Sequence, residues 1–439
     1  QGNQNNYLAS LYEAEEKMGL AFIDLSTGEF KLDEGERYRI VERLNALSPS
    51  EIIVPHNWTE EKIKRLRLPH QNTSFTFLEE WKFDYPFAYQ SLVNHLKVNS
   101  LEGFGCQDLK LGISAAGAIW AYLKQTKKNT LSHINRLSPN FSDEMMFLDV
   151  NTIRNLELLS PMGSGDKDST LFSLLDQTKT IMGTRLLKNW IIRPLLNVEK
   201  IKERQEVIGE FLRHREWRGE INDRMKTFAD LERLVGRIGC DKATPRDLIW
   251  LKNSLNQIPG IKSVLEKSDS RLLIFIRENL PDSSSLVQLL ESSVMDAPPL
   301  TLNEGGIIKP GFSSELDHLK DSIKESKRWI AGLQEEERKK RQIPSLKVGF
   351  NKVFGYFIEV TKPHLSKIPQ EYIRKQTMVN AERFITAELK EKEDLILGAE
   401  EKIFKLEYEL FLQLRSKVAE ETSKIQKTAE LVAMLDVLS

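Results

Sequence analysis

The chain has 439 residues, with 63 Lys and Arg against 64 Asp and Glu for a net charge of −1, and 40% apolar against 29% charged residues. That length exceeds what one hydrophobic core sustains, so about three domains are expected, and the apolar content excludes a disordered chain. The longest apolar runs, such as AAGAIWAYL near Ala115–Leu123, fall short of the roughly 20 residues that span a bilayer, and QGNQNNYLAS lacks the order of a secretory signal. A cytoplasmic protein is expected. Cys106 and Cys240 have no companions at metal-ligand spacing, so both are expected to be buried small apolar residues outside any zinc or disulfide framework.

In chain order, LASLY and GLAFIDLSTGEFKL come first. Alternation in Ala21–Leu25 and Glu29–Leu32, split by Ser26, Thr27 and Gly28, predicts a hairpin. ERYRIVERLNAL carries Ile40, Leu44 and Leu47 at helical spacing, and EIIVP predicts a short buried strand. This α/β unit is expected to close near the turn Gly103–Cys106, with a helix capped by Ser114 beginning after it. From there to about residue 300 the pattern is almost wholly helical, broken at Gly163–Ser169, Arg193-Pro194, Gly239, Thr244-Pro245 and Pro259-Gly260.

After EGGIIKPGF the pattern changes. Leu316, Leu319, Ile323, Ile330 and Leu333 predict a long helix from Ser313 to about Arg341. A second stripe, Leu389, Ile396, Ala399, Ile403, Leu406, Leu410 and Leu414, predicts a return helix packed antiparallel to it. Between them SLKVGF and YFIEVTKP alternate as a hairpin does, giving a small β tip in which Phe354, Tyr356 and Phe357 serve packing before base stacking. Residues 338–392 hold thirteen basic and five acidic side chains, a local +8 in a chain of −1. Such a patch attracts polyanions, the plainer alternative being a solvated face. RKQTMVNAERF favours the first reading, because Gln376, Thr377 and Asn380 add neutral donors beside Arg374, Lys375 and Arg383. His364, beside Lys362 and Lys367, is expected in a surface loop.

GFNKVFGYFIEVTK followed by YIRKQTMVNAERFITAELKEKED resembles the clamp of the MutS family of DNA mismatch-repair proteins. LDVNTIRNLEL, LLDQTKTIMGTRLLKNWIIRPL and ERQEVIGEF resemble its core, or lever, domain, and GLAFIDLSTGEF with SEIIVP its ribonuclease H-like connector. These motifs run in the family's order from about Asn6 to Leu438. The implied fold is multidomain and mainly α. It has a connector-like α/β domain over residues 1–105, an all-α core or lever domain over 106–305, a clamp of two long antiparallel helices with a β tip over 306–402, and a return helix of the core over 403–439.

The resemblance implies a scaffold fragment that binds the backbone of duplex DNA without reading sequence and relays state between mismatch-binding and ATPase domains. Lys347, Asn351, Lys352, Arg374, Lys375, Gln376, Thr377, Asn380 and Arg383 are the expected backbone ligands. MutL is the partner implied for the connector, and homodimerisation is implied for the full-length parent, with a monomer or weak dimer expected here. The family's Phe-x-Glu mismatch wedge and its GxxxxGK[ST] phosphate loop are both missing from the string, so the chain is expected to be truncated at both ends. No cofactor is expected, ATP and Mg²⁺ belonging to the parent's ATPase domain, and no catalysis. GSGDKDST at Gly163–Thr170 is expected to cap a helix through Ser169 or Thr170.

A ribonuclease H-like domain could hold a metal-binding carboxylate at Asp24, but no partners converge in the sequence, and Glu29 and Asp33 are expected to face solvent. The alternative function is a helical protein-interaction scaffold without intrinsic DNA binding.

Overall fold

The computed structural model describes residues 6–66, 68, 73–126, 131–140, 144–163, 169–299, 301–302, 305–351, 353 and 355–439. Two compact units result, the first formed by Gln1–Ala243, Asp247–Leu289 and Arg415–Ser439, the second by Thr244–Arg246 and Leu290–Leu414.

The first unit opens with β1 (Tyr7–Ala14), β2 (Lys17–Asp24), β3 (Glu29–Glu36), α1 (Arg37–Leu47), β4 (Glu51–Pro55), α2 (Glu60–Lys64) and β5 (Ser74–Leu78). Then come α3 (Tyr85–Leu96), α4 (Lys110–Thr126) and β6 (Ser138–Pro139). The six strands form one sheet in the order β5-β4-β1-β2-β3-β6, antiparallel among β1, β2 and β3 and parallel elsewhere. β2 and β3 pair Asp24 with Glu29 across the Ser26–Gly28 turn, as the sequence predicts.

The run GLAFI, Gly19–Ile23, is apolar throughout because helices cover both faces of the sheet. Ala21 and Ile23 pack with Ala88, Leu92, Ile113 and Ile119 of α3 and α4, whereas Leu20 and Phe22 pack with Ile40 and Leu44 of α1. Helix α4, placed by the sequence beyond the α/β unit, thus shares the core of the sheet, and the expected boundary at residue 105 falls inside that core. Ser114 does not cap α4, which begins at Lys110 and buries Ser114 within it. The amide of Leu111 in the first turn donates instead to the Glu34 carboxylate of β3 at 2.7 Å, a cap supplied from a distant strand.

The carboxylates near this hairpin are engaged. Asp24 is buried and accepts from the Ser26 amide at 2.8 Å and its hydroxyl at 2.6 Å. Asp33 does not face solvent: it is buried in an ion pair with Arg43 at 2.6 Å, and burial raises its pKa above the ordinary carboxylate range. Glu29 accepts from the Tyr7 hydroxyl at 2.8 Å and from Lys31 at 2.5 Å. Neither faces open water as the sequence suggests, because α1 and β1 bring Arg43 to Asp33 and Tyr7 to Glu29. Among the described residues no three His, Cys, Asp or Glu side chains are grouped to hold a metal ion. Cys106 is buried as expected, but Cys240 at the end of a helix is only half-buried.

His95 on α3 stacks on Trp120 of α4 with ring centroids 3.6 Å apart, its Nε2 lies 2.5 Å from the Ile134 carbonyl, and burial pushes its pKa down to about 4. Between the ordinary value of 6.5 and about 4 the unfolded chain therefore carries a proton that the folded chain lacks. Stability is complete above that window and falls as pH drops through it, by about 2 kcal/mol once the ring's partial exposure is discounted. An NMR titration of the imidazole should give a midpoint near 4. A midpoint near 6 would contradict this account.

The helical remainder comprises α5 (Val150–Asn155), α6 (Leu171–Leu175), α7 (Ile181–Ile192), α8 (Val198–Arg213), α9 (Arg215–Met225) and α10 (Leu231–Gly239). It continues through α11 (Pro245–Leu255), α12 (Ile258–Leu265), α13 (Arg271–Asn279) and α14 (Ser284–Ser293). Thr170 caps α6 in a reciprocal box with Ser173, as GSGDKDST suggests, while Ser164–Asp168 of that string lie outside the described residues. The chain then forms α15 (Ser314–Arg341), β7 (Lys347–Asn351), β8 (Gly355–Thr361), β9 (Ile373–Thr377), β10 (Ala381–Ile385), α16 (Ala387–Glu420) and α17 (Thr422–Leu438). The stretch 403–439, expected as one return helix, is two, separated at Glu421. No helix among the described residues is long and apolar enough to cross a membrane.

Candidate nucleic-acid interface

In the second unit Ser313 caps α15 through a bond from the Leu316 amide, and the helix runs 28 residues, matching the sequence-predicted span. Lys320 pairs with Glu407 at 2.7 Å and Lys327 with Glu400 at 3.2 Å, so α15 and α16 run antiparallel. Ile330 and Leu333 of α15 and Leu389 and Ile396 of α16 form one apolar seam, which continues into Ile358, Val360 and Phe384 beneath a four-stranded sheet.

That sheet has the order β7-β8-β10-β9 with every neighbouring pair antiparallel. The sequence predicts its first hairpin; the second, β9 with β10, is built from the string RKQTMVNAERF that supplies the candidate donors. Their polar side chains mask the strand signal because β9 is an edge strand with four exposed residues out of five. A buried carboxylate fixes the first hairpin, since Glu393 of α16 accepts from the Tyr356 amide at 2.6 Å. Gly355 sits there at φ +75°, where a Cβ would lie 2.2 Å from the Glu393 carboxylate, so only glycine fits both the turn and the approach. Glu337 of α15 accepts from the buried Tyr372 hydroxyl at 2.5 Å, and burial followed by that bond raises the phenol pKa.

The register places Lys347, Glu359, Arg383 and Gln376 in one row across the four strands. Within it Arg383 pairs with Glu359 at 2.9 Å, stacks 4.0 Å over the Phe357 ring and donates to Gln376 at 3.0 Å. Its positive charge is thus largely answered inside the sheet. Arg374 reaches Glu382 at 3.2 Å but stays 61% exposed. Asn351 accepts from the Val353 amide at 2.8 Å and shapes the β7–β8 turn, whereas Thr377 and Asn380 lie exposed at the β9–β10 turn. Lys352 and Phe354 lie outside the described residues; Phe357 is buried as a packing residue and Tyr356 half-buried.

Arg341 pairs with Glu337 and Glu371, and Lys390 with Glu393 and Asp394. Among the described residues, exposed Lys339, Lys340, Lys347, Lys362, Lys367 and Lys375 have no carboxylate partner within 4.0 Å. Apart from Lys367, which donates to the Gln342 carbonyl at 3.0 Å, these lysines are free to meet another anion. Counting charges in the sequence could not separate these from Arg374 and Arg383, because the partners of those two arginines come from neighbouring strands. His364 lies half-buried in a 3-10 turn spanning Lys362–Lys367.

A sheet buried on both faces, a run of helices, and a second sheet that the chain inserts between two long antiparallel helices define a mainly helical α/β protein of several domains. Residues 6–135 match the family model for MutS domain II and residues 151–439 that for MutS domain III. The chain belongs to the MutS family. It is 42% identical to the DNA mismatch repair protein MutS of Salinibacter ruber over 99% of this chain and 48% of the relative. Identity is 42% to that of Halothermothrix orenii, across 99% and 49%, and 41% to that of Symbiobacterium thermophilum, across 99% and 50%. The chain spans about half the length of these curated relatives.

Proposed function

We propose that this chain is a central scaffold of a mismatch-repair protein, in which the four-stranded sheet grips duplex DNA by its phosphates. The observation that carries this reading is the set of exposed, carboxylate-free lysines around the sheet, from Lys339 to Lys375. Lys347, Lys352, Arg374 and Lys375 supply charge in this reading, and Asn351, Gln376, Thr377, Asn380 and Arg383 supply or orient hydrogen-bond donors. Phosphate contacts set affinity and register without reading bases, which suits a part that holds DNA regardless of where the mismatch lies.

The first unit takes the relay role between the mismatch-binding and ATPase parts that the family resemblance implies, with MutL meeting its α/β portion. On the helical remainder of the first unit, exposed apolar side chains support protein contacts: Leu156 is 62% exposed, Leu174 73% and Val198 59%. Those contacts belong to the same scaffold, and this reading gives the chain no chemistry of its own, places it in the cytoplasm and makes it a monomer or weak dimer within a homodimerising parent.

Equilibrium binding to a fluorescent homoduplex and to its G·T counterpart, across about 25 to 200 mM salt, tests the proposal. Binding should be weak, salt-steep and equal for the two duplexes. Reversing Lys347 and Lys375 to Glu should weaken all sequences alike and lower the logarithmic salt slope by about two. Absence of binding at the lowest salt would leave the protein-interaction scaffold as the reading.

A further inference from the structure

The β9–β10 turn presents an apolar residue where phosphate binding has no use for one. The Met378 amide closes the turn on the Ala381 carbonyl at 2.8 Å, and the Lys362 amide holds the Asn380 carbonyl at 3.1 Å. At its apex Val379 is 86% exposed, more than any other large apolar residue described, and Met378 beside it is 38% exposed. The turn is therefore fixed by two backbone bonds while its valine packs on nothing. Lys362 stands on one side of it, Lys375 lies on the strand leading into it, and both are free of carboxylates. An anionic surface drawn to these lysines would be brought against the valine, and the apolar part of a DNA backbone is its deoxyribose.

We propose that Val379 packs on the deoxyribose wall of the duplex and anchors the β9–β10 turn at the edge of a groove. This rests on the reading of the sheet as a DNA-binding element and adds to it a contact that phosphate alone cannot offer. Lysines guide the backbone in, and desolvation of the valine against sugar C–H groups then supplies affinity that is insensitive to salt. The repulsion between lysine-rich copies argues against a second copy of this chain as the occupant.

The experiment compares the full chain with Val379→Ser and Val379→Thr, on duplex DNA and on inorganic polyphosphate, across a salt series. Duplex affinity should fall about tenfold for Val379→Ser, the effect expected from losing one buried valine contact. The logarithmic salt slope should stay unchanged, since no charge is altered, and polyphosphate affinity should stay unchanged, since it carries no sugar. Val379→Thr, which keeps shape and loses apolar character, should fall in the same direction. Duplex affinity equal to that of the original chain in both variants overturns the proposal while leaving the lysine reading intact. A parallel loss on polyphosphate also overturns it, by showing that the turn acts through phosphate. Failure of the original chain to bind duplex at low salt instead removes the DNA reading on which the proposal rests.

Discussion

An Arg185→Met chain is expected to lose about 3–5 kcal/mol of stability in the first unit, because it takes the short-range counter-charge from two carboxylates and leaves Asp230 with Arg233 at 3.6 Å. Arg185 on α7 meets Asp230 with a two-pronged contact at 2.7 and 2.6 Å and reaches Glu232 through its Nε at 3.0 Å. The side chains of Arg185 and Asp230 are only 8% and 12% exposed. Asp230 is also the N-cap of α10, accepting from the Arg233 amide, so the same carboxylate orders a helix start and receives the arginine. Burial already raises the Glu232 pKa while Arg185 holds it down, and removal of the arginine raises it further. Arg185→Lys should recover only part of the loss, since an ammonium cannot present a planar fork to two acceptors. Urea unfolding followed by circular dichroism checks this. A change under about 1 kcal/mol would mean that the carboxylates find other partners.

Local periodicity made most elements of this fold legible. The Ser313 cap and the Leu316, Ile330 and Leu333 stripe gave the 28-residue α15 almost to the residue, because both signals act within a few turns of chain. The β2–β3 hairpin was equally clear from Ser26–Gly28. What escaped depended on distant partners. Glu34 caps α4 from another strand, Arg43 draws Asp33 inside, and the shared core with the sheet carries the α/β unit past Cys106 to include α4.

The candidate site follows the same division. Its basic excess was visible as composition, and the β7–β8 hairpin as alternation. Which of its cations meet a carboxylate was not visible, because Glu359 meets Arg383 only through the β8–β10 register. Val379 is not legible either, since a single valine in a polar string carries no periodic signal.

The Asp436 carboxylate should prove nearly as costly to remove as Arg185, and in a way that names its neighbour. Asp436 lies on α17, buried, and accepts from the Lys179 amide at 2.8 Å, the Thr180 amide at 2.8 Å and the Thr180 hydroxyl at 2.6 Å. Thr180 in turn caps α7 by accepting from the Gly183 amide at 2.9 Å. A helix near the end of the chain thus supplies the anion at the start of a helix about 250 residues earlier, where the dipole favours one. Asp436→Ala leaves these donors buried without an acceptor and should cost about 3 kcal/mol. Asp436→Asn should recover little, because its amide turns donors toward donors. Gly183→Ala should also destabilise, since a Cβ there would stand 2.2 Å from the carboxylate oxygen. The two changes interfere with the same contact, so the double variant Gly183→Ala with Asp436→Ala should lose less than the sum of the single losses, by about 1 kcal/mol or more. Strict additivity in thermal or urea unfolding would show that the glycine and the carboxylate do not share the joint between α7 and α17.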